Sequence, residues 1–162
     1  MKNKNLSFMT QAAMIAAIYV VLTYIFAPFY FGEVQVRISE ALTILPIFTP
    51  AAIPGLFAGC LIGNILGGAI LPDIVFGSIA TLIGAFFTWK LREQKPVVAT
   101  FPPIISNIII VPFVLRYGYG VTLPIPFMML TVGIGEVISC TVLGLIVYGA
   151  LKKYKSTLFR TA

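Results

Sequence analysis

The sequence predicts an all-α membrane protein, built as a bundle of six transmembrane helices with both termini in the cytoplasm. Of its 162 residues, 59% are hydrophobic and 10% are charged, whereas a soluble domain carries about 25% charged residues. Apolar runs recur along the chain, and the basic residues lie between alternate runs. We expect a single integral membrane domain over residues 1–162, because this length suits one domain.

Six apolar runs are the candidate helices. Their bounds, in order, are 8–28, 41–48, 49–70, 73–89, 97–115 and 124–151. A helix that crosses the bilayer needs about 20 apolar residues, or somewhat fewer when it is short. The stretch 38–70 is ambiguous, because its 33 residues are few for two crossings and many for one. We expect the second helix to be short and either tilted or only partly crossing.

The distribution of basic residues favours two crossings in that stretch. Six crossings place both termini and the cluster at 90–95 on one side, which then holds nine of the eleven basic residues. Only Arg37 and Arg116 then lie outside. Cytoplasmic loops of membrane proteins are rich in Lys and Arg. The net charge of +6 therefore reflects topology in a plasma membrane, and we expect the lipid bilayer, but no nucleic acid, as a partner.

Residue types that the sequence lacks exclude several classes of protein. The chain contains no His, which excludes imidazole metal sites, Ser-His-Asp triads and Cys-His nucleophilic pairs. It also lacks the phosphate-binding motif GxxxxGK[ST]. We therefore expect no enzymatic activity, no cofactor and no metal. Cys60 and Cys140 lie 80 positions apart in apolar runs, so we expect two small buried side chains rather than a disulfide or a zinc site.

Small residues at helical spacing predict close contacts between helices. Glycines recur every four residues at Gly55, Gly59, Gly63 and Gly67. Such a stripe lets another helix approach closely in lipid. The first run carries two overlapping pairs of alanines at the same spacing, which are Ala12, Ala13, Ala16 and Ala17. These alanines either pack within the bundle or dock a separate membrane protein, and the sequence leaves both interpretations open.

Polar residues inside the apolar runs fall in the outer half of the predicted bundle. They are Glu40, Asn64, Asp73, Asn107 and Glu136. Glu136 is the most informative of them, since a carboxylate in the middle of a membrane helix is costly unless it faces a polar cavity or a partner. A cavity that opens to the outside accounts for the placement of the whole set.

These residues also have purely structural interpretations. The two asparagines and Glu136 could join helices by hydrogen bonds. Arg37 lies three residues before Glu40 and could pair with it. Asp73 directly precedes an apolar run, as a helix N-cap does. Gln35 belongs to the external loop, either as an ordinary solvated residue or as part of a lid over the cavity.

Two segments carry a resemblance to a known family. The run VQVRISEALT at 34–43, followed by TPAAIPGLF at 49–57, resembles the QueT family. These proteins are the substrate-binding S components of energy-coupling factor (ECF) transporters, linked to uptake of queuosine precursors. The resemblance implies a substrate-binding domain that captures its ligand from outside, beneath the loop between the first two helices. It also implies two kinds of partner, a transmembrane coupling subunit and two ATPases.

The resemblance further implies roles for particular residues. The four alanines of the first run resemble the motif by which S components dock on the coupling subunit. The implied substrate is a 7-deazaguanine such as preQ1, preQ0 or queuine. One carboxylate can accept the adjacent N–H donors of its guanine-like edge, and a second suits a cationic aminomethyl group. The predicted substrate-binding residues are Glu136, Glu40, Arg37, Asn107, Asn64, Asp73, Gln35 and Tyr30.

Other functions stay open at this point. The carboxylates also suit thiamine or another cationic vitamin or base, bound by an ECF subunit of different specificity. A self-sufficient ion-coupled carrier would use Glu136 as a proton relay. A membrane assembly protein would use Glu136 only to join helices. A membrane enzyme is disfavoured, because the sequence contains no recognisable acid–base or metal-binding set.

Overall fold

The chain is helical, and the computed structural model describes residues 2–26 and 36–159, with no strand in either range. In chain order the α-helices are α1 (Lys2–Phe26), α2 (Ala52–Leu66), α3 (Leu71–Lys90), α4 (Pro96–Ala99), α5 (Phe101–Phe113), α6 (Ile125–Glu136), α7 (Gly144–Lys152) and α8 (Lys155–Leu158). A 3₁₀ helix at Ile38–Ile47 precedes α2. Two π-helical segments follow α5 and α6, at Val114–Gly118 and Val137–Leu143 respectively.

Within residues 2–26 and 36–159, four helical stretches are long and apolar enough to cross a membrane. They are Lys4–Phe26, Leu71–Lys90, Pro96–Gly118 and Ile125–Lys152. The third stretch joins α4, α5 and the first π segment, and the fourth joins α6, the second π segment and α7. The prediction of an all-helical membrane protein is confirmed at this level.

The ambiguous stretch 38–70 forms two shorter helices. The 3₁₀ helix has ten residues and α2 has fifteen, which corresponds to lengths of about 20 Å and about 22 Å. Both are shorter than the bilayer core of about 30 Å. Nine of the ten residues in the 3₁₀ helix are buried. The surrounding helices therefore enclose this short element, and its own polar residues point into the protein interior.

Helices α2, α3 and α5 alternate in direction between two ends of the bundle, whereas α1 runs parallel to α2. Cys60 of α2 contacts Thr81 of α3, and Asn64 contacts the backbone of Asp73, so α2 and α3 are antiparallel. The contacts of α3 with α5 show the same antiparallel arrangement. We call the end that carries Lys90, Arg92, Lys95, Lys152 and Lys153 the basic end, and we call the opposite end the distal end.

The first and last described helices meet at the basic end. Gln11 Nε2 in α1 donates to the carbonyl of Leu158 in α8 at 3.5 Å. Thr49 Oγ1, in the connection between the 3₁₀ helix and α2, donates to Gln11 Oε1 at 2.9 Å. The beginning and the end of the described chain therefore lie at the same end of the bundle.

The glycine stripe of α2 packs directly against α1. A Cβ atom on Gly55 would lie 2.7 Å from the carbonyl oxygen of Ala12, and one on Gly59 would lie 2.7 Å from Tyr19 Cβ. Such distances are too short for real Cβ contacts, so only glycine permits this approach. The predicted close helix contact is confirmed, and it fixes the position of Tyr19 beside the protein interior.

The four alanines of α1 divide between two environments. Ala12 and Ala16 are half-buried and face the glycine stripe. Ala13 and Ala17 are exposed on the outer surface of α1. The first pair therefore has a packing role within the bundle, and the second pair is available to another protein.

Candidate functional site

A group of polar side chains lies in the interior of the helical bundle. We call it the buried cluster, and it comprises Tyr19, Glu40, Thr43, Asn107, Glu136 and Cys140. The two carboxyl groups come from the start of the 3₁₀ helix and the end of α6, and their residues are 1% and 3% exposed. A carboxyl oxygen of each and Cys140 Sγ all lie within 4.8 Å of one another. The bundle thus brings together two acidic residues that are 96 positions apart in the sequence.

Glu40 has one partnered and one unpartnered carboxyl oxygen. The hydroxyl of Tyr19 donates to Oε1 at 2.5 Å, which is possible because the glycine stripe draws α1 close to α2. Thr81 faces the same carboxyl group from α3. Oε2 is buried and has no hydrogen-bond partner among the described residues. Glu40 therefore keeps an acceptor available inside the bundle.

Glu136 lies where α6 changes into a π-helical segment. Cys140 Sγ donates to Glu136 Oε2 at 3.2 Å, and Asn107 of α5 faces the carboxyl group from the neighbouring helix. Thr43 Oγ1 donates to the carbonyl of Glu40 at 2.6 Å and lies 3.4 Å from Cys140 Sγ. π-Helical turns inside α-helices occur frequently at functional sites.

A second polar group lies toward the distal end. We call it the rim cluster, and it comprises Arg37, Asn64, Asp73 and Tyr119. The hydroxyl of Tyr119 donates to Asp73 Oδ2 at 2.9 Å, and Arg37 Nη2 lies 4.0 Å from the same oxygen. Asn64 Nδ2 donates to the backbone carbonyl of Asp73 at 3.4 Å. These contacts tie the start of the 3₁₀ helix, α2, α3 and the connection before α6 together.

The surroundings of the rim cluster keep the Tyr119 hydroxyl protonated and the Arg37 guanidinium charged. Partial burial and the nearby Asp73 carboxylate raise the pKa of Tyr119 above its ordinary value, so its hydroxyl remains a donor at neutral pH. Burial opposes the positive charge of Arg37, but Asp73 and its other neighbours outweigh this effect and raise the pKa of the guanidinium. Arg37 therefore stays charged beside Asp73.

The two clusters are connected by polar contacts. Asn64 Nδ2 of the rim cluster lies 3.6 Å from Cys60 Sγ. Thr81 Oγ1 lies 3.4 Å from the same sulfur, and Thr81 in turn faces Glu40 of the buried cluster. A continuous series of polar atoms therefore leads from the distal end of the bundle to the two buried carboxyl groups.

The structure groups six of the predicted site residues into these clusters. Glu40, Asn107 and Glu136 belong to the buried cluster, and Arg37, Asn64 and Asp73 belong to the rim cluster. Gln35 and Tyr30 lie outside the described residues.

Two structural interpretations from the sequence are wrong. Arg37 pairs with Asp73 rather than Glu40, because its extended backbone (φ −99°, ψ 102°) lies before the 3₁₀ helix and does not share a helical face with Glu40. Asp73 is not an N-cap, because α3 begins at Leu71 and Ile70 occupies the cap position. Its carboxyl group bonds to the Tyr119 hydroxyl instead.

Several members of the clusters were not predicted from the sequence. Tyr19 was recognisable as a phenol inside an apolar run, which needs a hydrogen-bond partner when buried. Cys60 and Cys140 are buried free thiols, as expected, but both contact polar groups instead of packing only as hydrophobes. Tyr119, which lies between the apolar runs 97–115 and 124–151, donates to Asp73.

The buried cluster also contains donor atoms suited to a cation. Glu40, Glu136 and Cys140 each offer one ligand atom, and these atoms are mutually within 4.8 Å. Two carboxylates and a thiol could hold either a divalent metal ion or an organic ammonium group. The donor set favours positive charge in either case.

The fold and these clusters define a class of protein, an α-helical membrane protein with a polar site enclosed within an apolar bundle. The family model described as QueT transporter matches residues 9–153. The chain belongs to the QueT transporter family, which confirms the family that the segments at 34–43 and 49–57 indicated.

Part of the chain is also similar to a protein that carries the same family name. The Queuosine precursor transporter QueT of Lactococcus lactis subsp. cremoris (strain MG1363) is 32% identical over 84 residues. The aligned segment covers 51% of this chain and 48% of that relative, so the match spans about half the length of that protein. No solved structure matches this chain.

Proposed function

We propose that this protein is the substrate-binding subunit of an ECF-type importer for a queuosine precursor. It captures a 7-deazaguanine such as preQ1, preQ0 or queuine from outside the cell and delivers it with a coupling subunit and two ATPases. The single observation that carries this proposal is the pair of carboxyl groups enclosed in the bundle within 4.8 Å of each other. The similarity to the queuosine precursor transporter of Lactococcus lactis supports the choice of substrate.

The proposed topology has six crossings in the plasma membrane, with both termini cytoplasmic and residues 1–162 forming one binding domain. The meeting of α1 with α8 at the basic end supports an even number of crossings. The concentration of Lys and Arg at that end supports its cytoplasmic orientation. The distal end, with the rim cluster, then faces outside, so the ligand enters past Arg37 and Asp73.

The two clusters have distinct proposed roles in recognition. Glu40 and Glu136 are the carboxylates that contact the ligand in the interior, and Asn107 supplies an amide beside them. Asn64, Asp73 and Arg37 line the entrance and orient the ligand or contact it directly. Gln35 and Tyr30, which precede the 3₁₀ helix in the sequence, remain proposed contacts.

The proposed docking surface for the coupling subunit lies on α1. Its exposed members are Ala13 and Ala17, whose small side chains allow the close approach that helix contacts in lipid require. Ala12 and Ala16 contribute by holding α1 against the glycine stripe of α2. Docking on this face leaves the interior clusters free to hold the ligand.

Reconstitution into liposomes tests whether transport of the substrate requires the other subunits. We expect the purified chain alone to bind labelled preQ1 without accumulating it in the vesicle. Accumulation is expected only when the coupling subunit, both ATPases and ATP are present. ATP-independent accumulation by the chain alone would contradict the proposal.

A self-sufficient proton-coupled carrier is the second candidate function. Two carboxyl groups within 4.8 Å form an arrangement that could pass a proton across the bundle, as acidic residues do in many transporters. A proton gradient that drives substrate accumulation by the chain alone would favour this candidate.

A further inference from the structure

We propose that Glu40 and Glu136 together form a subsite for a positively charged group of the ligand. The protein would accordingly select cationic 7-deazaguanines, which carry an amine, over neutral ones with the same ring. This inference rests on the proposed function and adds to it a specific subsite and a ligand charge.

The geometry of the two carboxyl groups suits an ammonium group. Charge-assisted N–H···O bonds are about 2.7–2.9 Å long. An oxygen of Glu40 and one of Glu136 lie within 4.8 Å of each other. A single nitrogen atom can therefore lie at hydrogen-bond length, about 2.7–2.9 Å, from both. An ammonium group has three donors. Cys140 Sγ lies within 4.8 Å of both carboxyl oxygens and therefore borders the same subsite.

Within the described part of the chain, one buried oxygen of Glu40 is an acceptor without a partner. Glu40 is 1% exposed, and its Oε2 atom has no hydrogen-bond partner among the residues that the structure describes. A buried carboxyl oxygen without a partner carries the full cost of its lost hydration. Its other oxygen already accepts from Tyr19, so Oε2 is the acceptor that a ligand can reach.

The charge balance points to a cation rather than a neutral donor. The groups that face Glu40 and Glu136 are a phenol, a threonine hydroxyl, a thiol and an amide, all of them uncharged donors. Arg37 is the nearby cation, and its ion pair is with Asp73 of the rim cluster. Two buried carboxylates close together repel each other unless a positive charge or a proton lies between them.

The experiment compares two ligands that share the deazaguanine ring. preQ1 carries an aminomethyl group and preQ0 carries a neutral nitrile at the same position. Calorimetric titration of the purified full chain is expected to give at least about tenfold tighter binding of preQ1, which corresponds to about 1.4 kcal/mol. Glu40→Gln and Glu136→Gln should each weaken preQ1 binding by a larger factor than preQ0 binding, so that the preference falls toward unity. Size-exclusion chromatography and thermal unfolding in detergent show whether each variant is folded.

Glu93→Gln is the matched control, because Glu93 is an exposed acidic residue near the basic end. It should leave both affinities unchanged. Equal binding of preQ1 and preQ0 by the wild type, or equal losses for both ligands in the variants, would overturn the subsite but leave the proposed function intact. Failure to bind any deazaguanine would overturn both proposals.

A metal titration tests the other cation that these donors could hold. We expect Zn²⁺ alone to give no tight one-to-one binding to the wild-type protein. Tight Zn²⁺ binding that Cys140→Ser abolishes would overturn the assignment of this subsite to an organic ammonium group.

Discussion

At the scale of the residue, neutral donors surround the two interior carboxyl groups, and the ion pair lies nearer the distal end. Tyr19 donates to one oxygen of Glu40, and Cys140 donates to one oxygen of Glu136. The cation Arg37 pairs with Asp73 instead. Hydrogen bonds to a carboxyl group are among the stronger ones in proteins. This arrangement fixes the acidic side chains in place without neutralising them by a protein cation.

Tyr19→Phe tests how strongly the buried cluster depends on that phenol. The change removes the donor to Glu40 Oε1 and leaves a second buried oxygen without a partner, so we expect a loss of about 1–3 kcal/mol in unfolding free energy. Unfolding in detergent measures the effect. Tyr24→Phe is the control on the same helix, since Tyr24 is 67% exposed. Equal effects of the two changes would contradict the proposed importance of the Tyr19 contact.

At this scale the sequence predicted the acidic and amide members of the site better than their partners. Glu40, Asn107 and Glu136 were recognisable because charged or amide groups are rare and costly inside apolar runs. A phenol and a thiol are compatible with such runs, so Tyr19 and Cys140 gave a weaker signal. The spacing of Arg37 and Glu40 suggested the wrong ion pair, since spacing does not reveal where a helix begins.

At the scale of the element, the contact between α1 and α2 connects the packing of the bundle to the site. The glycine stripe allows α1 to approach, and this approach brings Tyr19 to Glu40. The regular spacing of the glycines was enough to predict a close contact, but the partner helix was visible only in the structure. The 3₁₀ form of 38–47 was also not predictable from composition, because burial among other helices stabilises it.

Gly59→Ala tests this connection. The added Cβ would meet Tyr19 Cβ at 2.7 Å, so we expect a loss of about 1–3 kcal/mol in unfolding free energy, typical of overpacking. Weaker preQ1 binding should follow from displacement of Tyr19. Gly149→Ala is the control, because a Cβ there meets nothing within 4 Å and alanine favours the helix by up to about 1 kcal/mol. Unchanged stability of the Gly59 variant would contradict the close packing.

Ala13→Trp tests the proposed docking surface of α1. The bulky side chain lies on the exposed side of the helix, so substrate binding by the isolated chain should persist. Association with the coupling subunit, measured by co-purification, should fall by about tenfold or more. Ile134→Trp is a control on an exposed position of α6. Undiminished association of the Ala13 variant would place the docking surface elsewhere.

At the scale of the whole molecule, the bundle encloses the buried cluster, and polar contacts connect it to the rim cluster toward the distal end. The positions of the charges in the sequence predict a cavity that opens at the end opposite the basic residues, and that opening stays a prediction. The sequence alone does not show whether Ile38–Ile47 and Ala52–Leu66 each cross the membrane, because both are shorter than an ordinary membrane-spanning helix.

Cysteine labelling tests the proposed topology of the whole chain. Thr122 and Gln94 are both exposed, in connections at the distal and basic ends respectively. A membrane-impermeant maleimide should label Thr122→Cys on intact cells, and Gln94→Cys only after permeabilisation, because cytoplasmic loops carry the positive charge. The native cysteines are buried, and the unsubstituted protein serves as the control for their labelling. The reverse pattern would contradict the proposed orientation.

Direct binding of preQ1 to the purified full-length chain is the measurement that tests the central claim most directly. Calorimetry should show one-to-one binding at about micromolar affinity or tighter, equivalent to about −8 kcal/mol or more negative, with little heat from thiamine. Such a result would support a membrane subunit that recognises a deazaguanine without help from other proteins. Absence of binding to preQ1, preQ0 and queuine by folded protein, or tighter binding of thiamine, would contradict the account.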